Sequence, residues 1–219
     1  MLDLMSLEYA AEFLRVNGFS LRENPQSSLD WCLAEARGGS VEAQCVASTI
    51  LRYGFASAHN EAEAIRWCSA AAASGNLDAQ CALAGHRIST KGDYRDVPLG
   101  IAMLEDLISK GHLTAMVSMA LLKLSGYVDQ VKQNSQEAID LLSVPAQAGN
   151  FYAQCLLGMQ LVENTNESAR QAGVRWVLKA AEGGDATAHE LLSTYYREGD
   201  HGLPVDLERA EFHSKSARR

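Results

Sequence analysis

The chain has 219 residues, 47% of them hydrophobic and only four of them proline, which is enough apolar mass for a sizeable core and too much for a disordered chain. Nineteen basic against 27 acidic residues leave a net charge of −8 with no basic stripe, which argues against nucleic acid and acidic membrane surfaces as partners. No apolar run approaches the roughly 20 residues of a membrane helix, and the opening MLDLMSLEYAAEFLR, with Asp3, Glu8 and Glu12, does not read as a signal peptide.

Residues 1–17 read as an amphipathic helix with Leu4, Leu7, Ala11 and Leu14 along one stripe. Beyond it the chain repeats itself. Gly39, Gly75, Gly111, Gly149 and Gly184 are 36, 36, 38 and 35 residues apart, and each is followed four residues later by Ala43, Ala79, Ala115, Ala153 or Ala188. Eight residues before each glycine stands a large apolar residue (Trp31, Trp67, Met103, Leu141, Trp176), and Phe212 extends that series by another 36. A period held in two registers marks a repeat architecture. It predicts units 39–74, 75–110, 111–148, 149–183 and 184–217, with residues 1–38 as a degenerate first helix pair, all within a single repeat domain spanning 1–219.

Each unit has the spacing of two helices. In the last one, Ala188, Leu191-Leu192 and Tyr195-Tyr196 form an i, i+3/i+4 stripe that stops at Gly199; Asp206 then caps a second helix carrying Leu207, Ala210 and Phe212. Asn60 and Asn134 or Ser135 are the corresponding caps in earlier units, and Pro98 suits the first turn of another second helix. The recurring glycine is the stop between one unit and the next. The third unit departs most: Met116 stands where Gln44, Gln80 and Gln154 stand elsewhere, and Pro145 falls within its second helix, where it should kink or shorten it. A two-helix unit of about 36 residues cannot bury its own apolar face, so the units must stack.

The Gly149-Asn150, Ala153-Gln154, Leu157-Gly158 run and the closing Gly202, Pro204, Asp206, Glu208 and Ala210 carry a resemblance. The pattern G-[NDS]-x-x-A-Q-x-x-L-G, with W-x-x-x-A-A before it and G-x-x-P-x-D-x-x-x-A after it, resembles the Sel1-like repeat, a relative of the tetratricopeptide repeat, over residues 26–217. The resemblance implies an all-α fold: a right-handed α/α superhelical solenoid of about six antiparallel helix pairs. It also implies a non-catalytic scaffold or adaptor of the kind bacterial members provide in signalling, secretion or effector–immunity systems. Two other readings follow from the family and the sequence, namely an enzyme of the penicillin-binding or β-lactamase type that some relatives resemble, and an oligomerisation module. The missing S-x-x-K element weighs against the enzyme.

Six histidines lie at 59, 86, 112, 189, 201 and 213 without HExxH spacing, and no phosphate-cradling glycine loop or nucleophile elbow is present. His189 and Glu190 are neighbours on a helix and so diverge by about 100°. Cys32 and Cys68 each follow a repeat tryptophan, and Cys45, Cys81 and Cys155 each follow an Ala-Gln pair. These positions commonly hold Tyr or Phe in the family, so cysteine reads as a smaller apolar filler there, and an odd count without CxxC predicts five free thiols in a cytoplasmic protein. No cofactor and no metal site is expected.

The expected partner is a protein or peptide lying in a concave groove. Transferring the tetratricopeptide phase puts the residues three, six, ten and thirteen after each repeat glycine into that groove, Cys45, Cys81, Val117 and Cys155 among them. The binding residues singled out are Glu42, Arg52, Asp78, Leu121, Leu124, Tyr152, Met159, Glu190 and Arg197, apolar in the middle of the groove and charged towards its ends. A homodimer through an uncapped terminal repeat is the other partnership considered.

Overall fold

A computed structural model of the chain describes residues 4–55, 59–89 and 92–218, with side chains from residue 9 onward. Twelve α-helices and one 3₁₀ turn make up the described residues, with no strand among them. They fall into two compact units, Met1–Ala115 and Met116–Arg219.

The first unit holds α1 (Leu4–Val16), α2 (Pro25–Arg37), α3 (Val41–Tyr53), α4 (Glu61–Ala73), α5 (Leu77–Ser89) and α6 (Val97–Ser109), and α7 (Leu113–Ser125) begins at its end. The second continues through α8 (Ser135–Gln147), α9 (Phe151–Val162), α10 (Glu167–Glu182), α11 (Ala186–Glu198) and α12 (Leu207–Ser216). The first helices of the repeats begin at Val41, Leu77, Leu113, Phe151 and Ala186, steps of 36, 36, 38 and 35 residues that follow the glycine register.

One junction, built five times, sets that register. Gly39, Gly75, Gly111, Gly149 and Gly184 all have positive φ, between 78° and 97°, which glycine adopts without the Cβ penalty of other residues. Where the chain turns, the amide of the following residue bonds back across the helix end, as in Ser40 to Glu35, Asn150 to Pro145 and Asp185 to Ala180. That same following residue then caps the next helix. Ser40, Asn76, Asn150 and Asp185 accept the N–H of Ala43, Ala79, Ala153 and Ala188 through side-chain oxygens. His112 does so through Nδ1, accepting from the Ala115 amide at 3.3 Å. The repeat alanine is thus doubly specified: its amide is the capped donor, and its methyl is buried in all five units.

The glutamine after that alanine is a second tie. Gln44, Gln80 and Gln154 donate through Nε2 to the carbonyls of Ala36, Ala72 and Ala146, at 3.3, 3.3 and 2.9 Å, fastening each first helix to the end of the helix before it. Within a unit the two helices cross over small residues. A Cβ added to Gly158 would sit 2.6 Å from a Val177 methyl and 2.9 Å from the Gly173 carbonyl, so α9 and α10 approach too closely for any side chain there.

Several sequence expectations shift by one residue. On α1, Ala10 rather than Ala11 is buried, together with Leu14, against Leu29, Cys32, Val46 and Ile50; the side chains of Leu4 and Leu7 lie outside the described ones. The tryptophan register holds the edge of the core rather than its centre. Trp31, Trp67 and Trp176 are half-buried, whereas the next residue in each case, Cys32, Cys68 and Val177, is fully buried. Phe212 does not continue the tryptophan series. Counted from the helix caps Asn24, Asn60, Asp96 and Asn134, the edge residue comes seven later; from Asp206 the seventh is His213, and Phe212 is 62% exposed. Counting 36 on from Trp176 falls one short because the loop from the end of α11 at Glu198 to the cap Asp206 is one residue longer than those from Tyr53 to Asn60 and from Ser89 to Asp96. Pro145 does not shorten α8, which has the same 13 residues as α4 and α6. In the last turn it removes one hydrogen bond only, and its ring is buried.

Candidate functional site

In the first unit the structure gathers Tyr9, Glu42, Cys45 and Asp78. Tyr9 is on α1, Glu42 and Cys45 in the first turns of α3, and Asp78 in the first turn of α5. They are close enough to act on one another electrostatically. Burial first, then the Cys45, Glu42 and Asp78 charges, push the Tyr9 phenol upwards. Burial, then Asp78 and Glu42, push the Cys45 thiol up to about 11. Glu42 and Asp78 are both exposed, so successive repeats present successive carboxylates beside an exposed tyrosine ring. Asp78 is not alone: its Oδ1 lies 3.1 Å from His112 Nε2, and because Nδ1 of that ring accepts from Ala115, Nε2 carries the proton and donates. This bond, more than any other influence, holds the Asp78 carboxyl below its ordinary value.

Arg52 sits apart from these carboxylates, in the last turn of α3, half-buried with Nη2 3.4 Å from Ser89 Oγ. It lies instead beside the buried His86, whose Nδ1 is 3.6 Å from Glu61. Burial, then Arg52 and His59, push His86 down to about 3, so at neutral pH it is a neutral core residue.

In the second unit Leu121 and Leu124 on α7 and Tyr152 on α9 are half-buried, leaning on one core of Val117, Ala120, Ala138, Leu142 and Leu157. Met159, one helical stretch further along α9, leans on the next core, of Val162, Val174, Val177, Leu192 and Tyr195. Tyr152 lies near the N-terminal end of α11: burial, then the charges of Asp185 and Cys155, push its phenol upwards. Glu190 and Arg197 on α11 are exposed, and Arg197 donates to Ser193 Oγ at 3.2 Å. Part of each of these apolar side chains therefore stays open to solvent, in a band with charges on the neighbouring helix.

The transferred groove phase holds only in part. Residues three after the glycine are open, as Glu42, Asp78 and Thr187 show. Six and thirteen after it, however, Cys81, Val117, Cys155, Ile88 and Val162 are buried. A helix inside an array is flanked by neighbours on two sides as well as beneath, so its buried stripe is wider than one face. Cys81 and Cys155 are therefore core filling, and Cys45 alone of the three Ala-Gln-Cys thiols is half-open.

All five cysteines are free, and burial raises the thiols of Cys32 (to about 12), Cys45 and Cys155, which makes them poor nucleophiles at neutral pH. No three His, Cys, Asp or Glu side chains among the described residues converge as a metal site would require. Among the described residues no helix is long and apolar enough to cross a membrane. Sequence reasoning missed the cap histidine His112 and the pairing of His189 with His213, whose Nδ1 atoms are 2.8 Å apart. The signal for His112 was present: it stands one after the repeat glycine, where other units have Ser, Asn or Asp.

No family model and no curated protein matches the chain. Solved structures do. A Sel1 repeat protein from Oxalobacter formigenes superimposes with a TM-score of 0.73 at 21% identity, covering 98% of this chain and 84% of that one. A protective antigen of uropathogenic Escherichia coli displaying an SLR fold superimposes with a TM-score of 0.71, again at 21% identity, covering 99% of this chain. This chain spans 44% of the antigen's length. The chain therefore has the all-α repeat fold of Sel1-like repeat proteins.

Proposed function

We propose that this chain, built on the Sel1-like repeat fold, is a non-catalytic protein-interaction scaffold that holds a peptide or partner protein along the first helices of its repeats. The observation carrying the reading is the band of half-buried apolar side chains on α7 and α9, Leu121, Leu124, Tyr152 and Met159, with exposed Glu190 and Arg197 on α11. Large flexible and aromatic side chains that are anchored at their base and open at their tip are the type that supplies binding energy at interfaces. Charges beside them orient a partner and speed its arrival. In the first unit, by itself, the exposed Glu42 and Asp78 beside Tyr9 favour a basic side chain in what binds there. A net charge of −8 supports the same preference and disfavours nucleic acid. Five cysteines outside disulfides suit a reducing compartment, which favours the cytoplasm for the scaffold.

The test is a displayed random-peptide library selected on the full chain, followed by calorimetric titration of the winning peptide. Enrichment of peptides with apolar anchors and Lys or Arg supports the reading; no enrichment, with β-lactam turnover by the purified chain, would replace it with the enzyme. Exposed Leu207 and Phe212 on α12 and Val205 before it favour self-association as a second use of the molecule. Light scattering that returns the mass of two chains supports it, and the mass of one chain at high concentration removes it.

A further inference from the structure

At two repeat positions the last repeat carries a histidine where no other repeat does. Five residues after the repeat glycine, where Gln44, Gln80 and Gln154 tie helix to helix, it has His189. Seven residues after the second-helix cap, where Trp31, Trp67, Met103 and Leu141 close the core edge, it has His213. The two departures meet. His189 on α11 and His213 on α12 face each other with their Nδ1 atoms 2.8 Å apart and ring centres 5.1 Å apart. A single proton fits between nitrogens at that distance, so one imidazole donates and the other accepts.

We propose that this imidazole pair is a proton-operated latch that holds α12 against α11 near neutral pH and lets it go in acid. Little apolar burial holds α12: Ala210 is its one fully buried residue, and Leu207 and Phe212 are largely exposed. The surroundings of the pair favour its neutral form. Tyr196 on α11 stacks on His213 with ring planes 8° apart, and Phe212 meets both imidazoles edge-on. Arg209 of α12 lies over the Tyr196 ring and donates to its hydroxyl at 3.1 Å. The charges acting on His213 are His189 and Arg209, and no carboxylate of α10, α11 or α12 is among them. Of the carboxylates on α12 and at its cap, Glu211 pairs with Lys215 and Asp206 with Arg209, and Glu208 is exposed in the first turn.

One added proton can sit on the outer Nε2 of the donating ring and leave the bond intact; a second added proton puts two cations at hydrogen-bond distance, beside Arg209, and none of the charges acting on His213 is an anion. Burial, then those two positive charges, hold His213 below its ordinary value of 6.5 while docked; released, it returns to that value. The docked state then binds fewer protons than the released one, so docking weakens as pH falls below about 6.5, by about tenfold per pH unit while one proton separates the two states.

Amide hydrogen exchange of the full chain, corrected for the intrinsic effect of pH, reads this directly. Between about pH 6.5 and pH 5.5 the protection of residues 207–216 should fall up to about tenfold, while α9 and α10 keep theirs. His189→Gln, which places there the residue of Gln44, Gln80 and Gln154, removes one of the two imidazoles and should lessen that fall, leaving only the part that burial and Arg209 impose on His213. Protection that does not change with pH in the parent chain, or that falls equally in His189→Gln, overturns the latch. A histidine-selective nitrogen spectrum near neutral pH gives a second readout without mutation. One Nδ1 of the pair should be protonated and the other bare; two bare Nδ1 atoms would also overturn it.

Discussion

Gln154 shows how much one side chain contributes to a repeat junction. Its Nε2 donates to Ala146 O at 2.9 Å while the residue is buried, and that carbonyl also receives the Gly149 amide. Gln154→Met should therefore cost only about 0.5–1.5 kcal/mol, since one of two donors is lost; denaturant unfolding measures it. Met116 already occupies this position in the third unit, so the tie is not required everywhere. His86 gives a residue-scale pH prediction. Its folded value, about 3, lies far below the ordinary 6.5, so the folded state binds fewer protons than the unfolded one between those limits. Stability is then full above about 6.5 and falls as pH drops towards 3. His86→Gln should flatten the part of the acid loss that belongs to α5, read as hydrogen exchange of residues 77–89; an unchanged acid slope there would show that another group titrates. At this scale the sequence was only partly legible. Glycine, alanine and cap positions are chosen by backbone geometry and so carry their reasons openly. The pairings of His112 with Asp78 and His189 with His213 join residues 34 and 24 apart and depend on which turns of two helices come level.

At the scale of the helix, boundaries were the most legible feature, because a positive-φ glycine and a capping residue side by side fix where one helix ends and the next begins. Phase was less so. Ala10 in place of Ala11 and His213 in place of Phe212 are single-residue errors, and each reverses which side chain is inside. The second arose because the loop between α11 and the cap Asp206 is one residue longer than its counterparts, which a fixed period counted from Trp176 does not see. The α9–α10 crossing supplies a test of packing. Gly158→Ala inserts a methyl 2.6 Å from Val177 and 2.9 Å from a backbone carbonyl, so it should destabilise by about 1–3 kcal/mol despite alanine's better helix propensity. A neutral or stabilising result would mean that the two helices slide apart at little cost. Trp67→Ala, by contrast, removes a half-buried ring that Arg66 covers at 5.3 Å, and should cost less than the 3–5 kcal/mol typical of a fully buried aromatic.

For the whole molecule, the repeat register foretold an all-α fold of stacked pairs, and the superposition on Sel1-like repeat structures bears that out. Which residues stay open was less legible, since the transferred phase put Cys81, Val117, Cys155 and Val162 into the groove, whereas all four are buried. Thiol titration under denaturing, non-reducing conditions should count five reactive groups; one or three would mean disulfides and a different compartment. The central claim, that the open apolar band of α7 and α9 binds a partner, is tested most directly by calorimetry of a selected peptide against Tyr152→Ala and Met159→Ala, with thermal midpoints measured alongside. Each variant should lose more than about 1 kcal/mol of binding while its midpoint stays within about 3–6 °C of the parent's. Unchanged affinity in both, with the fold intact, would contradict the claim and move the partner to another face.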